Sequence, residues 1–313
     1  NGKSNKGTIA GCLSCNYAGS RRFKVGSVRD HVLGFQGING KGEIIKSGGT
    51  VVKNVTGYDL SKLITGSFGT LSILTEITLK VLPKKNFSNT VVIDVEDHKK
   101  IYDLFNLISG SSSEVSGAVF IPSEPVDKNY KKNRDKIFKF NDLDFKGPFL
   151  AFRVEGDKIS INEKIKSLTE ELQLNTLKTF LLDSYQSNPF WKKINNLELF
   201  EKTENNLLRI VIEPSNGSKM IKYLNNKFKY YIDWCGSLFW VEVPAKKNMK
   251  VKEIKKIAID FGGYLTIVKT SFDYDFDETI FTVDDVRLMI SKKIKESFDP
   301  KRILNPGKMY RGI

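Results

Sequence analysis

The chain has 313 residues, of which 40% are hydrophobic and 27% are charged. This composition is typical of a globular protein and excludes disordered and collagen-like classes. The length predicts about two domains with substantial cores. The formal net charge of +14 leaves open a nucleic-acid surface, an acidic partner or anionic lipid. Because the lysines are scattered and no recognition motif accompanies them, we predict no nucleic-acid binding.

Three cysteines and two histidines restrict the metal and redox chemistry of the sequence. Cys12 and Cys15 form a C-x-x-C pair, but neither a second pair nor a nearby histidine completes a zinc site. We therefore predict no metal site and interpret the pair as small packing residues. No signal peptide and no apolar run of about 20 residues is visible, which favours a cytoplasmic, reducing compartment.

The first eighty residues are rich in glycine and predict short strands joined by tight turns. Residues 32–38 and 43–46 are expected to pair as a hairpin around the turn at 39–42. Asp59 is predicted to cap a short helix that Gly66 ends. Residues 71–82 alternate between apolar and polar side chains, as a half-buried strand does.

Beyond residue 86 the pattern predicts strands mixed with helices. Strands are predicted at residues 90–95, 115–121, 149–154, 207–212, 230–234, 238–243 and 264–269, and helices at 99–108, 161–172, 220–228 and 254–258. Residues 127–146 are expected to be a polar loop. The pattern indicates an α+β layer, with an antiparallel sheet and helices on one face. Trp234, Phe239 and Trp240 are candidates for an aromatic wall, although core packing is the favoured interpretation.

Four glycine-rich segments occur in an order that points to a known family. They are residues 7–11 (GTIAG), 19–34 (GSRRFKVGSVRDHVLG), 48–60 (GGTVVKNVTGYDL) and 66–76 (GSFGTLSILTE). They resemble the second half of the FAD-binding domain of the vanillyl-alcohol oxidase (PCMH-type) family, and within it the FAD-binding E subunit of bacterial glycolate oxidases. Residues 233–241, 262–268 and 294–310 resemble the same subunit, so the resemblance covers both ends of the chain.

The resemblance implies an α+β protein with three parts. Residues 1–86 would be the C-terminal half of a PCMH-type FAD-binding domain, and residues 87–283 a ferredoxin-like α+β cap domain. Residues 284–313 would return to the FAD domain as a helix and a turn. In the family, the FAD domain begins with a subdomain whose glycine-rich loop holds the pyrophosphate. Because nothing precedes Asn1 to supply this loop, the sequence is expected to be either a fragment or a form that has lost that half, and the absence of an initial Met favours a fragment.

By the same resemblance FAD is the expected cofactor, held mainly by backbone amides that small residues allow to approach. The residues that match the flavin-binding positions of the family are Thr8, Ile9, Gly11, Gly19, Ser20, Gly26, Ser27, Arg29, Ile73 and Thr75. Without the resemblance, the glycines among them would be interpreted as turn residues. Arg21 and Arg22 are candidates for phosphate pairing, and an exposed basic turn is the alternative.

The implied function is that of an FAD-dependent oxidoreductase subunit acting on CH–OH groups. It would support oxidation of glycolate to glyoxylate together with a sister FAD-binding subunit and an iron–sulfur subunit, which would pass electrons towards the membrane. Two alternatives stay open: a self-sufficient D-lactate-type dehydrogenase, and a structural subunit that has lost its flavin.

The catalytic residues remain unassigned by the sequence. Related 2-hydroxy-acid oxidases carry a histidine-rich motif near the C-terminus, whereas the last histidine here is His98. Arg153, Arg209, Arg287 and Tyr264 would only partly replace the base and the carboxylate clamp that the reaction needs. We therefore expect little turnover by this chain alone.

Overall fold

The computed structural model describes residues 7–51, 57–95, 100–123, 128–139, 145, 147–173, 177–201, 203–245, 248–271, 281–310 and 313. The chain divides into two compact units. Unit 1 comprises Asn1–Ala18, Gly26–Pro83 and Asp275–Ile313, and unit 2 comprises Gly19–Val25 and Lys84–Tyr274. Gly19–Val25 therefore belongs to unit 2, whereas the sequence placed it with the rest of residues 1–86.

Helices and strands follow one another through both units. The α-helices are α1 (Ile9–Cys15), α2 (Arg22–Val25), α3 (Val28–His31), α4 (Leu60–Ile64), α5 (Ile101–Gly110), α6 (Lys128–Ile137), α7 (Lys158–Glu171), α8 (Ser184–Asn195), α9 (Gly217–Leu224), α10 (Asn248–Asp260) and α11 (Asp285–Phe298). The strands are β1 (Val32–Ile38), β2 (Ile44–Gly48), β3 (Ile73–Leu79), β4 (Phe87–Asp94), β5 (Gly117–Ile121), β6 (Phe149–Gly156), β7 (Thr179–Leu182), β8 (Asn206–Val211), β9 (Lys229–Asp233), β10 (Leu238–Val243) and β11 (Tyr264–Lys269). The predicted α+β class is confirmed.

The sheet of unit 1 has the strand order β2-β1-β3, with antiparallel pairing. In the β1–β2 turn, Asn39 Oδ1 accepts the N–H groups of Lys41 and Glu43, so the predicted hairpin is confirmed. Asp59 caps α4 as predicted, and Gly66 follows that helix at φ +86°. The core beneath these elements is small. It contains Leu13, Val32, Phe35, Ile64 and Leu71.

A buried ion pair fixes α11 within unit 1. Lys295 is 1% exposed, and its Nζ donates to Asp299 Oδ2 at 2.6 Å. The same Nζ donates to the carbonyl oxygens of Thr70 and Leu304. Gly40 in the β1–β2 turn donates its N–H to the last residue of α11, and a Cβ at Gly40 would collide with the Asp299 carboxylate. Lys295 therefore connects α11 to Thr70, which lies before β3, and to Leu304, which follows the helix.

The sheet of unit 2 is antiparallel, and its strand order over the described residues is β11-β8-β10-β9-β5-β6-β4-β7. This order contains one pattern twice. The first repeat runs β4-α5-β5-β6-α7-β7, with α6 inserted between β5 and β6, and the second runs β8-α9-β9-β10-α10-β11. In each repeat the fourth strand lies beside the first, followed by the third and the second, which is the ferredoxin-like arrangement that the resemblance implied. The repeats meet where β5 pairs with β9, through Phe120 and Ile232.

Both faces of this sheet are buried. One face is covered by a cluster that includes Val119 and Phe149 from the strands and Phe190 and Trp191 from α8. All of β5 and the first six residues of β6 are buried, and neighbouring residues of a strand point to opposite faces. The expectation of a sheet covered on one face is therefore wrong.

Three segments of unit 2 differ from the predictions made from the sequence. Residues 128–137 form α6 within the predicted polar loop, because Tyr130 and Arg134 are buried and Arg134 donates to the carbonyl oxygens of Phe145 and Gly147. No element was predicted between residues 172 and 207, where β7 and α8 lie. Pro189 inside α8 removes a backbone donor and hides the helix from pattern analysis. Helix α2 was not predicted either, and the other strands and helices of unit 2 overlap their predicted positions.

Candidate functional site

Helix α1 carries three of the residues that the resemblance assigns to flavin binding. Thr8 is its N-cap, and the Thr8 hydroxyl accepts the N–H of Gly11 at 3.0 Å. The side chain of Ile9 is 66% exposed, and the first turn contains no acidic residue. Backbone N–H groups in a first helical turn lack acceptors within the helix. This end of α1 therefore offers amide donors and an apolar side chain, with no carboxylate to repel a phosphate.

A second candidate element is the turn at residues 26–29, which is closed on itself. Gly26 adopts φ +87°, a conformation that side chains disfavour. Ser27 directs its N–H and its hydroxyl to Asp30 Oδ2, at 2.7 and 2.8 Å. The N–H of Arg29 donates to Asn16 Oδ1 at 3.2 Å, which joins this turn to the C-terminal end of α1. The Ser27 N–H, hydroxyl and carbonyl are thus all bonded to Asp30, since the carbonyl accepts the Asp30 N–H at 3.1 Å, and only the exposed Arg29 of this turn is oriented to solvent.

Strand β3 supplies a third candidate element. Ile73 is 58% exposed, and Thr75 is exposed with its hydroxyl donating to a carbonyl oxygen of β1. The turn that precedes β3 is joined to α1, because the N–H groups of Gly66 and Phe68 donate to carbonyl oxygens of that helix. Unit 1 thus links α1, the 26–29 turn and β3 through backbone and side-chain hydrogen bonds. The stretch at residues 52–56 of the third glycine-rich segment lies outside the described residues.

The remaining two predicted flavin residues, Gly19 and Ser20, lie in a segment of unit 2 that we call the strap (Gly19–Val25). Ser20 is fully buried; its N–H donates to Asn195 Oδ1 at 2.9 Å and its hydroxyl to Asp233 Oδ2 at 2.7 Å. The carbonyl of Gly19 accepts the indole N–H of Trp234 at 3.1 Å. The polar groups that Ser20 would offer a cofactor are therefore already bonded within unit 2.

The two arginines of the strap also have partners within unit 2. Arg21 forms a two-point hydrogen bond with Glu155, with Nε 3.1 Å from Oε2. The guanidinium of Arg22 lies 4.1 Å from the ring centre of Trp234, in a cation–π contact. The structure therefore favours neither a phosphate-pairing role nor a free basic turn for these residues.

Two of the three arginines considered for a substrate carboxylate are buried among protein groups, whereas the third, Arg287, is exposed and pairs with Asp284. Arg153 is 4% exposed and donates to the hydroxyl and the carbonyl of Ser116 at 2.9 and 3.0 Å. Burial lowers the pKa of Arg153 to about 10. Arg209 lies 4.8 Å from the ring centre of Trp234, on which Arg22 also packs. These contacts give Arg153 and Arg209 packing roles in unit 2.

Asp233 is the buried carboxyl at the centre of this network. Its side chain accepts the Trp234 N–H at 2.7 Å in addition to the Ser20 hydroxyl. Burial raises the pKa of Asp233 to about 6, against the opposing effect of these hydrogen bonds and of Arg153. Nothing in the sequence indicated this residue, because its partner Ser20 is 213 positions away in the chain.

The C-x-x-C pair lies on α1 as free thiols, with Cys12 exposed and Cys15 partly buried. Burial raises the pKa of both thiols. A raised pKa lowers the fraction of thiolate, which is the nucleophilic and metal-binding form. Over the described ranges, no group of three or more His, Cys, Asp or Glu side chains could hold a metal ion. In the same residues no helix has the length and apolarity needed to cross a bilayer.

Comparison with known proteins places the chain beside hydroxy-acid oxidoreductases. It is 29% identical over 304 residues to glycolate oxidase subunit GlcE of Escherichia coli K12, covering 97% of this chain and 72% of that protein. It is 27% identical over 334 residues to glycolate oxidase subunit GlcD of Bacillus subtilis 168, covering 97% and 68%. It is 25% identical over 330 residues to a D-lactate dehydrogenase of Anaerostipes hadrus, covering 96% and 69%.

Structural comparison finds solved structures with a similar fold. No protein-family model matches the chain, but its fold is similar to that of alkyldihydroxyacetonephosphate synthase, with a TM-score of 0.61 at 18% identity. That match covers 96% of this chain and 57% of the synthase, so the chain spans little more than half of that protein. The resemblance predicted from the glycine-rich segments is thus confirmed, since the chain is similar to glycolate oxidase subunit GlcE over 97% of its residues.

Proposed function

We propose that the chain is the FAD-binding part of a GlcE-like subunit in a glycolate oxidase complex that converts glycolate to glyoxylate. The observation that carries this proposal is the geometry of unit 1, where α1, the 26–29 turn and β3 are linked and present most of the predicted flavin residues to solvent. Amide donors at the start of α1 suit polar atoms of the cofactor, and the exposed Ile9 and Ile73 suit the face of a planar ring.

FAD bound at these turns would supply the two-electron acceptor for oxidation of a CH–OH group. The residues of this chain would bind and orient it through backbone amides, which carry no net charge to be neutralised. Oxidation of a 2-hydroxy acid also needs a base for the hydroxyl proton and a clamp for the carboxylate. Because Arg153 and Arg209 are engaged elsewhere, we assign these two roles to a sister FAD-binding subunit.

In this proposal, electrons leave through an iron–sulfur subunit. The complex would act in the cytoplasm and contact the inner membrane only peripherally. Similarity to both GlcE and GlcD subunits supports the assignment to a multi-subunit enzyme. The excess of positive charge on this chain would favour association with acidic partner surfaces.

The test compares three glycine variants of the full-length protein. In Gly26→Val, the backbone is at φ +87° and the new Cβ would lie 2.8 Å from Asp30; in Gly11→Val, it would lie 3.2 Å from Thr8 Oγ1. We expect both variants to lose FAD. Gly42→Val is the matched control, because Gly42 has a similar φ of +82° in unit 1 but lies in the β1–β2 turn with open space around it. The control should retain FAD.

Equal FAD content in all three variants, each shown to be folded by circular dichroism, would remove the site assignment. A wild-type protein that is colourless and takes up no FAD would contradict the proposed function itself and favour a structural subunit.

The second candidate function is a self-sufficient D-lactate-type dehydrogenase. Its support is the 25% identity to a D-lactate dehydrogenase over 96% of this chain. Dye reduction by the isolated full-length protein with glycolate and with D-lactate separates the two functions. Turnover of D-lactate without any partner subunit would favour this second function.

A further inference from the structure

The strap is anchored by both repeats of unit 2. Ser20 bonds to Asp233 at the end of β9, in the second repeat. Arg21 bonds to Glu155 on β6, in the first repeat. Lys24 Nζ lies 2.8 Å from Oε1 of Glu114, and Glu114 lies just before β5 in the first repeat. This short segment therefore makes contacts on either side of the seam at which β5 and β9 pair.

The deepest of these anchors is the Ser20–Asp233 hydrogen bond. Ser20 is 0% and Asp233 is 3% exposed, whereas the Lys24–Glu114 pair is largely exposed. A hydrogen bond to a buried charged group contributes more to stability than an exposed ion pair, which solvent and salt screen. Loss of Asp233 would therefore loosen the strap at Ser20 more than loss of the exposed Lys24–Glu114 pair would, although the Ser20 N–H would still donate to Asn195 Oδ1.

Both ends of the strap continue directly into predicted cofactor turns. Ala18 precedes it and follows α1, whose C-cap Asn16 adopts a left-handed conformation. Gly26 follows it and opens the 26–29 turn at φ +87°. While Ser20 is fixed, few backbone dihedral angles are free between Ser20 and each of the two turns. A loosened strap would have more free dihedral angles, and this backbone entropy would disfavour a single arrangement of the chain between α1 and the 26–29 turn.

We propose that Asp233 is a positioning residue for the flavin: by fixing Ser20, it holds the backbone that connects α1 to the 26–29 turn in its cofactor-binding conformation. This inference rests on the proposed function, and it gives Ser20 an anchoring role in place of a cofactor contact. The competing possibility is that the Arg29–Asn16 bond holds the turn against α1 without help from the strap. The two possibilities predict different behaviour when the anchor is removed.

The test uses four variants of the full-length protein. Asp233→Ala and Ser20→Ala remove the Ser20–Asp233 hydrogen bond, the second with less disturbance of the core, and both leave the Ser20 N–H bonded to Asn195. Asp233→Asn keeps it, because the Asn oxygen still accepts the Trp234 N–H and its amide donates to the Ser20 oxygen. Thr90→Val is the matched control: it breaks a buried network with Ser187 and Trp191 in unit 2, at 2.7 and 2.8 Å, and leaves both Ser20 and Asp233 unchanged.

Two quantities are measured: the Kd for FAD of the cofactor-free protein, and amide hydrogen exchange in residues 26–31 without FAD. We expect Asp233→Ala and Ser20→Ala to raise the Kd at least tenfold and to speed exchange at least tenfold. Asp233→Asn and Thr90→Val should stay within twofold of the wild type in both quantities, even where Thr90→Val lowers the melting temperature.

Kd values and exchange rates within twofold of wild type in both anchor-removing variants would overturn the inference and leave the Arg29–Asn16 bond as sufficient. An equal loss in Thr90→Val would also overturn it, because the effect would then follow from general instability. If the wild type binds no FAD, the proposed function fails, and the exchange data still decide whether Asp233 orders residues 26–31.

Discussion

Replacing Asp233 with asparagine should change how the stability of unit 2 depends on pH. Asp233 is buried, and its pKa is raised from 3.8 to about 6 in the folded protein. The native state therefore binds the carboxyl proton more tightly than the unfolded chain does. The stability that this proton contributes is complete below pH 3.8 and is lost as the pH rises through about 6.

The magnitude follows from the size of the shift. About two pKa units at about 1.4 kcal/mol each give a loss of about 3 kcal/mol, of which about 2 kcal/mol falls between about pH 4 and about pH 7.5. The asparagine side chain would carry no charge and would keep both hydrogen bonds, so the variant would not lose this stability. The free energy of unfolding of Asp233→Asn relative to wild type should thus rise by about 2 kcal/mol over that pH range.

The assay is urea unfolding followed by tryptophan fluorescence at pH 4, 5, 6 and 7.5. The three tryptophans of the chain, Trp191, Trp234 and Trp240, all lie in unit 2, so the signal reports on that unit. Asp157→Asn is the control, because a hydrogen bond from the Ser160 backbone lowers the pKa of this exposed carboxyl. The free energy of unfolding of Asp157→Asn relative to wild type should fall as the pH rises, because ionised Asp157 stabilises the wild type and this stability is lost as the pH falls. A difference between Asp233→Asn and wild type that is constant within about 0.5 kcal/mol would refute the reasoning.

Three further predictions concern unit 1 and the assembled enzyme. Lys295→Met should lower the free energy of unfolding by about 3–5 kcal/mol in calorimetry, since it leaves the Asp299 charge buried; exposed Lys293→Met should change it by less than about 0.5 kcal/mol, and equal effects would contradict the buried pair. Cys12→Ser and Cys15→Ser should keep flavin content and dye reduction by the complex within twofold, and loss of electron transfer with FAD still bound would show a redox role. The isolated full-length protein should oxidise glycolate at least about 10²-fold more slowly than its mixture with the sister and iron–sulfur subunits, and full turnover alone would place the base in this chain.

Much of the fold was accessible from local patterns. The strands of unit 2 are short apolar runs bounded by polar residues, and Gly236 marks the turn between β9 and β10. Helix α6 was missed because its stripe combines Tyr130 with Arg134, and arginine is normally a surface residue. The second buried face of the sheet was missed although β5 and the start of β6 are nearly continuous apolar runs, a pattern typical of strands buried on both faces.

The sequence could indicate residues of the candidate site only where they lie close together in the chain. The glycine-rich turns were assigned to a cofactor through the family resemblance, whereas the positive φ of Gly26 and Gly66 explains only why glycine stands at those positions. The anchor of the strap could not be recognised, because Ser20 and Asp233 are common residues that become a pair only when unit 2 folds. A buried aspartate opposite a serine has no sequence signature.

Unit 2 is built from two separate stretches of the chain, which affects recombination between related proteins. An exchange of residues 84–274 alone would import Asp233, Glu155 and Trp234 without the segment that satisfies them. A foreign residue other than serine at position 20 would then face the Asp233 carboxyl, which would keep the Trp234 N–H but lose the hydrogen bond from Ser20. A viable hybrid has to receive residues 19–25 together with residues 84–274. The two stretches should therefore be inherited together, although they lie well apart in the sequence.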